Sequence, residues 1–263
     1  LKGFTEPKKY PGKVFSLLAG GSPKFYYYHW LIESMPKLYL LKQSGQFDNV
    51  DYFLVPNYEY RYQREYLDHF GITEDKVIND ELEYHIKADE LMVCSYVRLE
   101  DHHPKWACDF LYDSFIAPAA ATKRDKLIYI GRGDSAVNRK VINEDELTDV
   151  LKSFGFEIHF LSGLSVVEQA RLFNSARIVV GVHGAGLTNL VYCEPATKVL
   201  EIFPDNYVRH IFYDISNKRG LEYHYLLCPS DGTAEDTWVG QTISLTADID
   251  AIKNKVVSML AMS

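Results

Sequence analysis

In the second half of the chain, apolar runs of strand length alternate with amphipathic stretches of helix length, the pattern of successive β-α-β units. Residues 127–130 are the first predicted strand. Asn143 with Glu146 three positions on predicts a helix N-terminus, the helix runs through Phe154, and Gly155 ends it where a left-handed residue is wanted. Residues 156–160 read as the next strand. Ser165 and Glu168 repeat the capping-box spacing, with Val166, Ala170, Leu172 and Phe173 as the apolar face of a helix reaching Ala176. A wholly apolar strand at 178–182, a short helix near 187–192 and a buried strand at 199–203 closed by Pro204 complete the series. Three helical crossovers between four apolar strands predict a parallel, doubly wound sheet.

The first half is less regular. A helix is expected at 28–42, a strand at 52–56, a helix at 59–70, strands near 76–78 and 91–94, and a helix from Pro104 to Ile116, together a second α/β unit. Ala117-Pro118-Ala119-Ala120-Ala121-Thr122-Lys123 reads as a linker, so the expected domains are 1–121 and 122–263. Ile249, Ile252, Val256, Met259 and Leu260 share one face of a closing helix at 247–262 that Thr246 is expected to cap. That helix is free to pack back across the domain junction.

Composition narrows the function. A chain of 263 residues that is 47% hydrophobic and 14% aromatic can bury a substantial core. Its net charge of −8 excludes a nucleic-acid binder, which carries a broad positive field, so an anionic ligand must meet a local basic site. The four cysteines are far apart with no Cys-x-x-Cys pair, which points away from a zinc site or a disulfide framework. No run approaches the ~20 apolar residues of a membrane span. The chain begins at Leu1 rather than at Met, which leaves room for a removed leader or anchor; the expected location is cytoplasmic, peripheral to a membrane. Composition leaves the oligomeric state open.

Three segments carry candidate chemistry. In Val182-His183-Gly184-Ala185-Gly186-Leu187-Thr188-Asn189, small residues stand where a strand gives way to a helix, the place where open α/β sheets bind ligands. Glycines there let backbone amides approach a diphosphate, and the helix N-terminus adds partial positive charge. Close strand–helix packing accounts for the glycines equally well; His183, which can donate to a sugar hydroxyl or phosphate, tips the balance. The second segment runs from Tyr129 to Lys140 through a glycine-rich loop with Arg132, Asn138 and Arg139, whose guanidinium forks match phosphate oxygens. In the third, 25–36, His29 and Glu33 lie one helical turn apart and can pair as a base and its orienting carboxylate. Pro36 implies a break or kink just after them. The surrounding tyrosines suit either a core or a sugar-stacking cleft. Glu201 ends an apolar strand and reads either as an acceptor for ribose hydroxyls or as half of a structural ion pair. No Asp-x-Asp pair ends a strand and no metal-ligand spacing occurs, so a metal-independent mechanism without a cofactor is expected.

At Tyr28-His29-Trp30-Leu31-Ile32-Glu33, at Arg132 with Asn138-Arg139-Lys140-Val141-Ile142-Asn143-Glu144, and at His183-Gly184-Ala185-Gly186-Leu187-Thr188-Asn189-Leu190, the sequence resembles glycosyltransferase family 61. The resemblance implies two Rossmann-like α/β/α domains facing a cleft, a GT-B-like architecture. It also implies inversion at the anomeric carbon and a nucleotide-sugar co-substrate, commonly a UDP-sugar, held mainly by the C-terminal domain. Gly131 stands where the family pattern leads one to expect Ser, and a bacterial, capsular-polysaccharide type of member fits best. On this reading Arg132, Asn138, Arg139 and the 183–189 loop, including Gly184, Ala185, Gly186, Leu187 and Asn189, bind the donor. Glu201 holds the ribose, and His29 or Glu33 deprotonates a hydroxyl of a glycan or glycoconjugate acceptor. A sugar-nucleotide epimerase on the same scaffold and a non-catalytic nucleotide-sugar-binding partner are the alternatives.

Overall fold

The computed structural model describes residues 6–20, 26–116, 123–133, 139–233 and 237–261. Most of the expected linker, and Asn138, lie outside them. The protein is a mixed α/β chain that divides into two compact units, Leu1–Leu111 and Tyr112–Ser263.

In the first unit, β1 (Lys8–Ser16), β2 (Tyr52–Val55), β3 (Val77–Asn79) and β4 (Ile86–Met92) form a parallel sheet in the order β3-β2-β1-β4. The sequence pattern gives no warning of β1, because Pro11-Gly12 interrupts it. Two carboxylates hold that interruption in place. Asp89 Oδ2 accepts from Gly12 N at 2.8 Å and Asp51 Oδ2 accepts from Lys13 N at 2.7 Å. Gly12 has φ +89°, and a Cβ there would overlap the Asp51 carboxylate, so only glycine serves. Beyond the irregularity Val14 packs with Leu54 and Ile78. The last strand starts five residues earlier than the 91–94 expectation.

A helical segment follows β1. It consists of α1 (Tyr27–His29), a π-helical turn at Trp30–Ser34 and α2 (Pro36–Gln43). Pro36 does not break it. In the wide turn Met35 N bonds Trp30 O at 3.1 Å, five residues back. A ring at 36 would crowd the carbonyl four residues earlier in a regular helix, and the π turn absorbs it. The unit adds α3 (Arg61–His69), and the division between units falls within α4 (Lys105–Phe115).

The second unit follows the expected β-α-β order and extends it. Its elements are β5 (Lys126–Ile130), α5 (Glu144–Ser153), β6 (Glu157–His159), α6 (Val166–Asn174), β7 (Ala176–Val182), a 3-10 helix (Ala185–Tyr192), β8 (Lys198–Pro204), α7 (Ile211–Arg219), β9 (Glu222–Cys228), α8 (Thr237–Gly240) and α9 (Ile249–Ala261). All five strands are parallel, in the order β6-β5-β7-β8-β9. Ile178, Val180, Leu200 and Ile202 are fully buried, and Ile252, Val256 and Met259 of α9 join the same core, each such side chain contributing about 1.5–3 kcal/mol relative to exposure.

The caps differ in detail from expectation. Ser165 and Glu168 form the reciprocal capping box at α6. Asn143 occupies the N-cap position of α5 without a bond to a backbone N–H of the helix; its Nδ2 donates to Glu146 Oε2 and to Ala247 O, both at 3.1 Å, and its Oδ1 accepts from Ala247 N at 2.8 Å. Asp248, not Thr246, caps α9, accepting from Ala251 N at 3.0 Å.

The strand orders fix where ligands can be received. From β5 the chain moves outward to β6 and then returns to the other side at β7, so β5 and β7 flank a reversal of winding. In the first unit β1 and β4 flank the corresponding reversal. The crevice beyond the carboxyl ends of such a strand pair is where open α/β sheets bind ligands.

Candidate functional site

Both arginines of the second segment converge on the loop after β7. Arg139 Nη1 donates to His183 O at 2.9 Å. The Arg132 guanidinium lies directly on Gly184, where a Cβ would overlap its Nη1. Gly184 therefore makes room for an arginine, and its φ of 170° is ordinary extended backbone. Glu144, in the first turn of α5, steadies the approach from β5, its Oε1 accepting from Arg132 N at 3.1 Å and from Tyr129 OH at 2.9 Å. Arg139 takes a left-handed φ of +56°, a conformation costly for a residue with a Cβ.

The electrostatics of this pair are lopsided. Burial, and then the neighbouring Arg132 charge, pulls the Arg139 pKa down to about 10, which leaves it cationic at neutral pH. Burial lowers Arg132 as well. Among the described residues Arg139 is in no salt bridge, and its Nε is buried without a hydrogen-bond partner. Two adjacent, partly buried guanidinium groups form a local basic site in a protein of net charge −8.

His183 is held from behind. Its Nδ1 lies 2.5 Å from Glu201 Oε1, and Tyr223 OH donates to Glu201 Oε2 at 2.5 Å. Phe203 stacks on the imidazole at 4.9 Å, with Tyr207 and Phe212 at 5.5 and 5.1 Å. Burial keeps its pKa below the ordinary value despite the carboxylate, and both arginines push the same way, so the neutral ring prevails. Glu201 is 0% exposed with both oxygens engaged. Glu201 thus bonds His183 and Tyr223 and is placed to orient the imidazole.

Three more of the expected donor residues are scaffold in their described contacts. Leu187 is buried and fills the space over Gly181, where a Cβ would meet its Cδ2 at 2.9 Å. Asn189 is buried and donates to Gln169 Oε1 and Gly186 O, both at 3.1 Å, tying the 3-10 helix to α6. Gly186 packs against Leu161 and Ile130. Packing thus explains Gly181 and Gly186. Ala185, at the start of the 3-10 helix, is part-exposed.

The first unit assembles a second cluster. His29 Nδ1 lies 2.7 Å from Glu33 Oε1, and Arg98 Nε donates to the same oxygen at 2.5 Å. Arg98 also lies over the Tyr28 ring at 5.7 Å, and Tyr28 OH bonds His103 Nε2 at 2.7 Å. Lys37, four residues past Glu33, is buried and donates to Leu18 O, just past β1. Burial opposes ionisation of Glu33, but the His29 hydrogen bond and the Arg98 charge outweigh it and hold its carboxyl below the ordinary range. A carboxylate so stabilised is a weak base. With Nδ1 turned to Glu33, Nε2 is the His29 ring nitrogen left for another partner.

Sequence reasoning missed Arg98, Tyr223 and the support from Glu144. Arg98 lies 65 residues from Glu33 in an irregular stretch, and the one available signal was a cation shortly past a predicted strand. Among the described residues no group of three or more His, Cys, Asp or Glu could hold a metal ion, and no helix is long and apolar enough to cross a membrane.

A family model for Glycosyltransferase 61 matches residues 27–200, a span that contains both clusters up to the residue before Glu201. A beta-1,2-xylosyltransferase of Oryza sativa subsp. japonica is 36% identical over 115 residues, covering 41% of this chain and 22% of that protein. A xylan glycosyltransferase of Arabidopsis thaliana is 29% identical over 125 residues, 45% of this chain and 25% of the relative. An EGF domain-specific O-linked N-acetylglucosamine transferase of Mus musculus is 32% identical over 90 residues, 32% and 17% of the two chains. The matched segments span a quarter or less of these relatives.

Proposed function

The chain belongs to the glycosyltransferase 61 family, and on that premise we propose that it moves a sugar from a nucleotide donor, a UDP-sugar, to a hydroxyl of a glycan or glycoconjugate. We read both units as Rossmann-like domains of a GT-B-like enzyme of polysaccharide biosynthesis, a reading supported by the two strand orders. The observation that carries the proposal is the pair of partly buried, adjacent guanidinium groups of Arg132 and Arg139 on the loop after β7.

In this mechanism the arginines and the amides at the start of the 3-10 helix receive the diphosphate. Glu33 orients His29 through Nδ1, and His29 Nε2 takes the proton of the acceptor hydroxyl. The hydroxyl oxygen bonds the anomeric carbon as the bond from that carbon to the diphosphate oxygen breaks, and the electron pair leaves with the diphosphate. One displacement inverts the configuration. The arginines neutralise the departing charge, which makes the reaction metal-independent.

A thermal-shift series with UDP-, GDP- and CMP-sugars tests the donor assignment, since a ligand that binds only the folded state raises the melting temperature. UDP-sugars are expected to give the largest rise. If no nucleotide sugar moves the transition, the proposal fails.

A further inference from the structure

We infer that Phe160 is the platform on which the donor's nucleobase stacks, with the backbone at Gly131 and Gly133 as the wall that fixes its ring. This rests on the donor site proposed for Arg132 and Arg139, and adds a nucleoside subsite to it.

Phe160 directly follows β6, and Gly131 N bonds His159 O at 2.9 Å, continuing the β5–β6 pairing just past the strand ends. The ring therefore stands level with the residues around Arg132. It lies against both glycines: a Cβ at 131 would come within 2.5 Å of Cε1, and one at 133 within 2.7 Å of Cδ1. Any side chain at either position would displace the ring. Gly131 is also where Ser was expected from the family pattern, so the departure has a local physical consequence in this chain.

The ring is tightly placed and yet half in solvent, with Phe160 50% exposed. Its segment is anchored on the other side, since Leu161 packs against Gly186 and Gln169 Nε2 donates to Leu161 O at 3.2 Å. A half-exposed aromatic held this firmly offers a ready surface for a flat apolar ligand group. Its distance from the cations fits a nucleotide. Phe160 stands at the end of β6 and the His183–Gly184 turn at the end of β7, two strand spacings away or roughly 10 Å, about the reach of a nucleoside between its base and its diphosphate. Arg132, between the two glycines in sequence, turns its guanidinium to Gly184. Base–aromatic stacking tolerates any base, so Phe160 supplies affinity for the nucleoside more than discrimination among bases.

Calorimetric titration with UDP, GDP, CDP and inorganic pyrophosphate tests the subsite. For the nucleoside diphosphate that the wild type binds tightest, Phe160→Ala is expected to weaken binding about 5- to 150-fold, with pyrophosphate affinity unchanged and Phe160→Trp restoring the nucleotide. An unchanged nucleotide affinity in Phe160→Ala overturns the inference, and so does an equal loss for nucleotide and pyrophosphate. A wild type that binds pyrophosphate as tightly as every nucleotide overturns the platform alone and keeps the phosphate site. A wild type that binds neither removes both readings.

Discussion

The two clusters stand at matching places in their sheets and differ in how their charge is settled. In the first unit the charged groups answer one another: Glu33 meets His29 and Arg98 on one oxygen. In the second, Arg132 and Arg139 meet at one loop, Glu144 accepts from the Arg132 backbone, and Glu201 is committed to His183 and Tyr223. On the proposed function, the first cluster moves a proton and the second, with two partly buried guanidinium groups on one loop, receives an anion. The same winding reversal would then support two kinds of chemistry, and the difference lies in a handful of side chains.

The sharpest way to break the comparison is to remove the proton acceptor. His29→Ala is expected to lower kcat by about 10²–10⁴-fold while leaving donor affinity intact, measured as initial transfer rates beside a donor titration. Loss of donor affinity instead would mean the first cluster also binds nucleotide. Next in size, Arg139→Ala is expected to weaken nucleoside diphosphate binding by about 10- to 150-fold, the range for a charge-assisted hydrogen bond.

Gly184→Ala sharpens the same point. Its Cβ would displace the Arg132 guanidinium, so the affinity loss should resemble that of Arg132→Ala, and the double variant should be little worse than either single one. Full additivity in calorimetry would show that Gly184 acts through something other than Arg132.

The smallest expected effect is a slope. Because the folded His183 pKa lies below its ordinary value of 6.5, the unfolded chain takes up a proton first on acidification. Its contribution to stability is present above pH 6.5 and is lost as pH falls toward the folded pKa. Denaturant midpoints from pH 8 to 5 should fall, and His183→Gln should flatten that fall. Glu201, Tyr223, Arg132 and Arg139 surround the ring, and an unchanged slope in the variant would show that groups other than His183 set the pH response.

How much of this was legible in the sequence depended on how local each signal was. The apolar strands β5, β7 and β8 and the Ser165–Glu168 cap are written in contiguous residues, and they emerged near their expected bounds. β1 was not legible, because its Pro-Gly interruption is held by Asp51 and Asp89, carboxylates far along the chain. β9, Glu222–Cys228, is an edge strand with just its last residue buried, so it lacks the continuous apolar run that marked its neighbours. Asn143 and Glu201 stand where expected in the chain, but their bonds to Ala247 and to His183 and Tyr223 were not legible, since a polar side chain's distant partner is a tertiary fact. Arg98 had no periodic pattern to reveal it.

The π turn at Trp30–Ser34 also acts as an angular setting. Each residue of a regular helix advances about 100° around the axis, so the widened turn alters the phase of His29 relative to everything after Pro36. Pro36, which removes the option of a regular ladder at that point, pins the phase. Replacing it with alanine would leave every polar group of the first cluster in the chain while freeing the turn to relax, and the bearing of His29 toward its partners would then be set by side-chain contacts alone.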